Sequence, residues 1–468
     1  MSKTSYLAKN TLLIAISKVS TQMVMFFMLP LYTTTLTPGE YGMVDLIITY
    51  GALFAPLIML NVQQSVFRYL IDARLDSDSQ RRIITNAVEI TLGASMLAAV
   101  VYFVTSMFVS IPFAAIMSFY FASFIVADLV LQIARGLGHT KAFAIAGIVQ
   151  ALLTVVLNVI FMLSLQMGVN GMLLGMALGL LIPAVGLAVF IGTHRSIRLS
   201  ARDRAIKKKL LAFSLPLLPN TISWWVFSAS DRTIISIVVG VAANGIYAVT
   251  NKFANIANSF SAIFYASWSE SAVLAINDPD RDEFFSRIAN MMVKVFSTLG
   301  ILIMCATPIV FPFLVNEAFN EALLYLPVLV LGTIFNTIVS FYSAIYIAKD
   351  LTRQVSNTSI VAAIINLVLC LALIWFVGIW AAAISTAVAY GVMAIYRHYD
   401  MKKYIAVTYE RGIFIKLGLL FAAASVLYYQ DTLWASLAGL AIAVISAYWL
   451  NRHEIGRIKS MVLGRIGR

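Results

Sequence analysis

The sequence predicts an all-α integral membrane protein of about 14 transmembrane helices, and three observations carry that prediction. Hydrophobic residues make up 61% of the chain and charged residues only 12%, where a soluble domain holds about 25% charged residues. Apolar stretches recur from residue 11 to residue 450, each near the roughly 20 residues that cross a bilayer. The cations between them collect in alternate connections. Almost nothing is left over for a soluble domain.

The first stretch, residues 11–36, is too long for a signal-peptide core and lacks a small-residue cleavage site, so it is expected to stay in the mature protein. Stretches at 42–67, 83–110, 113–134, 143–166 and 171–193 complete a set of six. The longest polar interruption, HRSIRLSARDRAIKKK at 194–209, then intervenes. A second six follows at 210–239, 245–275, 288–314, 323–348, 355–377 and 379–399. Two further stretches, 412–429 and 432–450, are edged by Tyr428, Tyr429, Trp434, Tyr448 and Trp449, as an interfacial aromatic belt requires. The expected division is a six-helix bundle at 1–193, a basic linker at 194–209, a second bundle at 210–403, and two extra helices with a basic tail at 404–468.

An even number of spans places both termini on one side. With the N-terminus in the cytoplasm, 28 of the 33 Lys and Arg residues fall in cytoplasmic segments and none in outward loops. The other five are Lys18, Arg232, Lys252, Lys294 and Lys416, inside spans. This asymmetry is the positive-inside signature. The net charge of +12 therefore reflects topology and gives no reason to expect nucleic-acid binding. Cys305 and Cys370 lie in separate spans, so no disulfide framework is expected. His139, His194, His398 and His453 have no metal-ligand spacing, and neither metal nor cofactor is expected.

The two sets of six repeat each other weakly but in order. LTPGEYGMV (36–44) overlays VGVAANGIY (239–247), with Gly42 on Gly245; GVNGMLLGMA (168–177) overlays GIWAAAISTA (378–387), with Gly168 on Gly378. Between these, HTKAF (139–143) and LTRQV (351–355) each set a cation before a helix. A six-helix repeat inserts both copies the same way up, related by a pseudo-two-fold along the membrane normal. Transporters use that architecture, with a site between two bundles that rock.

Several spans carry a polar stripe, the way an aqueous cavity is written into an apolar helix. Thr221, Trp224, Ser228 and Asp231 share one face of the seventh; Asn251, Asn255 and Asn258 share one of the eighth, with Lys252 on its shoulder. Asp128, Gln132 and Arg135 line the fourth, Gln150, Thr154 and Asn158 the fifth, and Thr333, Asn336, Ser340 and Ser343 the tenth. Asn61, Gln64, Ser65 and Arg68 end the second. Interhelical hydrogen bonding accounts equally well for the hydroxyl and amide stripes, and flanking charge accounts for Arg68 and Arg135.

Cations are harder to dismiss. Lys18 lies about 12 Å above the start of its helix at 1.5 Å per residue, while Lys294 and Lys416 are placed to snorkel. Asp231 and Arg232 are neighbours about 100° apart on a helix, so each needs a partner on another helix or water. Two readings stand: a buried ion network, or a cationic patch of Arg232, Lys18 and Lys252 for an anionic substrate group. Asp231, Glu270, Asp128 and Asp45 are the candidate ion-coupling carboxylates.

These pieces resemble the Wzx-type polysaccharide flippases of the multidrug/oligosaccharidyl-lipid/polysaccharide exporter superfamily. The resemblance rests on LPLYTTTLTPGEYGMVDL, on FRYL at the end of the second span, and on ARGLGHTKAF. SLPLLPNTISWWVFSASDRTIISIVVGVAANGIYAV, and GI before the twelfth span, add the second half. It implies movement of a polyprenyl-diphosphate-linked oligosaccharide from the inner to the outer leaflet of the bacterial cytoplasmic membrane, for surface polysaccharide such as O-antigen. On that view Asn251, Asn255, Asn258 and Ser228 meet the sugar and Trp224 stacks on it. Arg232, Lys252, Lys18, Arg68 and Arg135 are then the cations available to the diphosphate. The expected partners are the glycan lipid, the bilayer and polysaccharide polymerase machinery, for a monomeric carrier that is not an enzyme. No G-x-x-x-x-G-K-[ST] pattern occurs, which leaves an ion gradient or the membrane potential as the energy source. The rival readings are a MATE-type drug/cation antiporter and, more remotely, a membrane-embedded glycosyltransferase or ligase.

Overall fold

The structure, a computed structural model, describes residue 24, residues 26–109 and residues 112–466, without the side chains of residues 199, 223, 224, 227, 228, 266 and 453–466. Every regular element among them is helical. The chain divides into two compact units, residues 1–229 and 230–468. The first holds α1 (Leu29–Thr35), α2 (Pro38–Ile58), α3 (Val62–Asp72), α4 (Ser77–Phe108), α5 (Ala114–Gly136), α6 (Thr140–Asn158), α7 (Gly168–Phe190), α8 (Thr193–Ser196) and α9 (Arg204–Ser214). The division falls inside α10 (Leu218–Val238). The second unit continues with α11 (Val241–Ala275), α12 (Arg281–Leu314), α13 (Ala322–Ala348), α14 (Thr352–Val377), α15 (Trp380–Met401), α16 (Ile413–Tyr428) and α17 (Leu433–Ile466).

Among the described residues nine helices are long and apolar enough to cross a membrane, which makes this a multi-pass membrane protein. α10, α11 and α15 have the length, at 21, 35 and 22 residues, but polar residues dilute their apolar surface. The apolar α16 has 16 residues. Most of the expected first span lies outside the described residues.

Local chemistry sets the helix starts. Thr37 caps α2 by accepting from Glu40 N–H while the Glu40 carboxylate accepts from Thr37 N–H at 2.9 Å, with Pro38 in the first turn. This is a capping box followed by a proline whose missing N–H costs nothing there. Asp76 and Asp203 cap α4 and α9 in the same acidic manner, and the Ser79 hydroxyl bonded to Asp76 holds that carboxyl below its ordinary range.

The second span, expected as one helix over 42–67, is interrupted between α2 and α3. Leu60 and Asn61 both take left-handed backbone, at φ 55° and 54°. Pro56, four residues upstream, has no N–H to give, and Asn61 N–H reaches back five residues to the Pro56 carbonyl at 2.8 Å. Asparagine tolerates this conformation and leucine does not, at a cost of about 1–2 kcal/mol. Asn61 is buried, and its amide donates to Thr221 Oγ1 at 2.9 Å.

In the first unit α7 packs along α5 and α6. Gly171, Gly175 and Gly179 repeat every four residues on it, a small-residue stripe that lets helices close up. A Cβ at Gly175 would sit 1.9 Å from Asn158 Oδ1, and one at Gly179 2.0 Å from Thr154 Oγ1. The polar stripe of the fifth span is thus spent on packing: Asn158 Nδ2 donates to the Tyr32 hydroxyl at 2.7 Å and Gln150 to the Leu180 carbonyl at 3.3 Å.

In the second unit α13 packs against α11, α12 and α15, and α17 lies along α12. The segment that joins α15 to α16 has no regular structure over residues 405–410; Val407 N–H bonds to the Ile405 carbonyl at 3.1 Å, and both side chains are buried. Its outward backbone groups bond to one face of α12 at every fourth residue. Asp282 accepts from Ala406 N–H at 3.3 Å, Ser286 from Thr408 N–H at 2.9 Å and Asn290 from Glu410 N–H at 2.8 Å. Asn290 also donates to the Thr408 carbonyl at 2.9 Å, and Lys294 ion-pairs with Glu410. Lys294, expected to snorkel, is instead the last rung of this ladder.

Two outcomes check this packing. Gly175→Ala is expected to lower stability by about 1–3 kcal/mol, as overpacking does, read as a lower melting temperature in detergent; an unchanged melt would mean the helices part freely. Removing the two middle rungs with Ser286→Ala and Asn290→Ala is expected to speed deuterium uptake at residues 406–410 while leaving α7 protected. Equal uptake in the double variant would show that the two middle rungs are dispensable, with Asp282, Lys294 and the buried Ile405 and Val407 enough to hold the segment.

Candidate functional site

The carboxylate of Asp231 on α10 is buried in the second unit at 7% exposure. The Tyr247 hydroxyl of α11, itself buried, donates to its Oδ2 at 2.5 Å, and Arg232 N–H donates to its Oδ1 at 2.9 Å. Gly240 joins the two helices at φ 128° and ψ 160°, backbone that only glycine enters cheaply. One partner of Asp231 on another helix, such as an acid in a span requires, is therefore a phenol. Arg232 lies within electrostatic reach of the same hydroxyl.

Around the acid is a polar cluster from two more helices. Cys370 of α14 and Tyr390 of α15 both feel its charge. One turn before Cys370, Asn366 donates to Thr386 Oγ1 at 3.1 Å and to Ser385 Oγ at 3.3 Å. Its Oδ1, fully buried, has no hydrogen-bond partner among the described residues. A buried carboxylate hydrogen-bonded by a phenol is a group suited to taking up or releasing a proton. Among the described residues no group of three or more His, Cys, Asp and Glu stands ready for a transition metal.

The amide stripe of α11 extends from this cluster. Asn251 donates to the Tyr247 carbonyl at 3.0 Å. Asn258 Nδ2 donates to Asn255 Oδ1 at 2.8 Å, and Asn336 Nδ2 of α13 approaches Asn258 Oδ1 at 3.4 Å. Asn255 is exposed and Asn258 and Lys252 are half-buried, so the stripe keeps donors and acceptors in reach of a ligand. Glu270, farther along α11, is half-buried and forms no ion pair with a described residue.

Several candidates of the first unit are engaged with neighbours in their own unit. Arg68 pairs with Asp72 at 2.7 Å on an exposed face. Asp128 hydrogen-bonds Gln132, Gln132 accepts from Arg135 at 3.0 Å, and the Arg135 guanidinium lies 4.5 Å from the Phe67 ring centroid. Asp45 is buried on α2. Lys18, and the side chains of Trp224 and Ser228, lie outside the described residues. Trp225, the neighbour of Trp224, stacks on Tyr50 at 6.0 Å and donates to the Thr49 carbonyl at 3.3 Å.

Arg397 was missed. The charge count assigns it to a polar segment, yet it is only 1% exposed and is the largest fully buried side chain among the described residues. Its guanidinium donates to Thr358 Oγ1 at 2.8 and 3.0 Å, to the Val339 carbonyl at 3.0 Å, to Ser359 Oγ at 3.2 Å, and to Ser343 Oγ. A planar fork of five N–H groups so ties α13, α14 and α15 together with neutral acceptors alone. The clue was available: Ser343, Thr358 and Ser359 are hydroxyls at the ends of neighbouring spans.

The comparisons with known proteins follow from this geometry. A family model described as "Polysaccharide biosynthesis protein" matches residues 7–268, more than half of the 468 residues. The chain belongs to that family. The match takes in Asp231, Arg232, Tyr247 and the whole amide stripe of α11. No curated protein matches the chain significantly. Among solved structures, lipid II flippase MurJ in an inward closed conformation superposes with a TM-score of 0.71 at 15% identity, covering 94% of this chain and 99% of that one. A multidrug resistance MATE family transporter of the MOP superfamily, inward-facing, gives 0.63 at 14% identity over 83% and 97%. The family member described here shares the fold of those transporters.

The Arg397 fork generates a test. Arg397→Lys keeps the charge but has a single ammonium for acceptors on two helices, and is expected to cost about 2–4 kcal/mol, seen as a lower melting temperature. Equal stability of the two proteins would mean that the fork is dispensable.

Proposed function

We propose that this member of the polysaccharide biosynthesis family is a flippase that carries a polyprenyl-diphosphate-linked oligosaccharide from the inner to the outer leaflet of the bacterial cytoplasmic membrane. It works by alternating access, through fourteen spans arranged as two six-helix bundles and two extra helices, with both termini in the cytoplasm. The reading is supported by the amide row of α11, Asn251, Asn255 and Asn258, by half-buried Lys252 on the same helix, and by Arg232 of α10 within electrostatic reach of Tyr247. A sugar offers hydroxyls that both give and take hydrogen bonds, and amides match both roles. A diphosphate requires cations, and Arg232, Lys252 and Lys18 are the candidates assigned to it. The prenyl tail stays in lipid. Asp231, with its phenol donor, is the group assigned to coupling, and Glu270 is the alternate. The carrier forms no covalent intermediate and hands its cargo to polymerase machinery on the far side.

Complementation of a flippase-deficient strain, scored by surface glycan, checks the assignment. Arg232→Ala with Lys252→Ala is expected to lower surface glycan at least tenfold at equal protein level. Asp231→Asn is expected to abolish the dependence of transport on the ion gradient. Full rescue by the cation double variant sinks the diphosphate role, and drug efflux without any effect on glycan would point to an antiporter.

A further inference from the structure

The connection between α7 and α10 is fastened to the side of α4 by a repeated device. Thr85 Oγ1 donates to the Ser196 carbonyl at 3.0 Å and accepts from Arg198 N–H at 3.2 Å. The next residue does the same: Asn86 Nδ2 donates to the Ala201 carbonyl at 3.0 Å and its Oδ1 accepts from Asp203 N–H at 3.0 Å. One turn on, Glu89, expected inside a span, binds Lys207 at 2.7 Å and Arg202 at 3.2 Å. Leu210 of α9 is fully buried against this side.

Fastening uses up two of the seven cations in this stretch and fixes the rest. Arg195, Arg198, Arg204 and Lys208 are exposed and make no ion pair with a described residue. Beside them Ile197, Phe213 and Leu215 are 44%, 37% and 44% exposed. Cations interleaved with exposed apolar side chains are the composition of a segment at headgroup level. α7 ends at Phe190, so the stretch begins at the edge of a span. Positive-inside topology needs the charges; it does not need their backbone held by four hydrogen bonds.

We propose that this pinned connection is a docking surface for anionic phospholipid headgroups of the leaflet it borders. Cations near such a surface are drawn to it, and a backbone already ordered pays no further conformational cost on binding. Bound lipid in turn holds the base of α4 and α9 in place. The inference needs only that α7 crosses the bilayer, and is independent of the cargo.

The test uses the full-length protein in detergent, titrated with phosphatidylglycerol or phosphatidylcholine in mixed micelles, with retained lipid and melting temperature as readouts. Phosphatidylglycerol is expected to bind and stabilise, and phosphatidylcholine is not. Changing Arg195, Arg198, Arg204 and Lys208 together to Gln is expected to weaken phosphatidylglycerol binding at least about tenfold. Arg195→Lys, Arg198→Lys and Arg204→Lys together are expected to retain it, because a leaflet reads charge. A second quadruple variant, Lys349→Gln, Arg353→Gln, Lys402→Gln and Arg411→Gln, is expected to bind as the parent does. Equal binding by the first quadruple variant and the parent overturns the proposal. So does equal stabilisation by inorganic phosphate, which would make this a soluble-phosphate site.

Discussion

Inside a bilayer no water is on hand to satisfy a polar group, so each one must find its partner within the protein. The structure depends on that constraint. Backbone groups meet it by forming helices, which is why every regular element described is helical. Side chains meet it case by case. Arg397 surrounds itself with carbonyls and hydroxyls from two other helices; Asn158 enters the notch opposite Gly175 to reach Tyr32. The price of a partner is position, and the helices are arranged around those demands.

Asp231 illustrates what the same rule permits at a working site. Among its partners is a neutral phenol, the Tyr247 hydroxyl. A neutral donor can share a proton with a carboxylate without locking it in one charge state. The amides of α11 are similarly undecided, able to give or accept. A ligand rich in hydroxyls finds both roles offered, which is also why no short motif names the sugar.

Much of the fold was legible because it is written in apolar period and length. α4, α5, α7, α13 and α14 fall where the hydropathy placed them. The break at Leu60 and Asn61 was not, since FAPLIMLNV reads as unbroken apolar helix and the buried bond to Thr221 joins residues 160 positions apart. Arg397 was misplaced for a related reason: an arginine near the end of a span looks like flanking charge until its acceptors on other helices are seen. At the candidate site the Asn stripe and Asp231 were visible from spacing, but nothing in the spacing singles out Tyr247. Its role depends on how α10 meets α11, which no local pattern encodes. The stripe of the fifth span shows the opposite error, because polar periodicity is the same whether it faces a cavity or a glycine notch.

The pairing of α12 with residues 405–410 carries a geometric limit. Its rungs lie four residues apart, about 6.0 Å along the helix, and meet every second N–H of the segment. The repeat ends at Glu410, which takes two rungs: its N–H goes to Asn290 and its carboxylate to Lys294. A helix therefore serves as the comb for an irregular chain over three backbone teeth, and a side-chain ion pair closes the row.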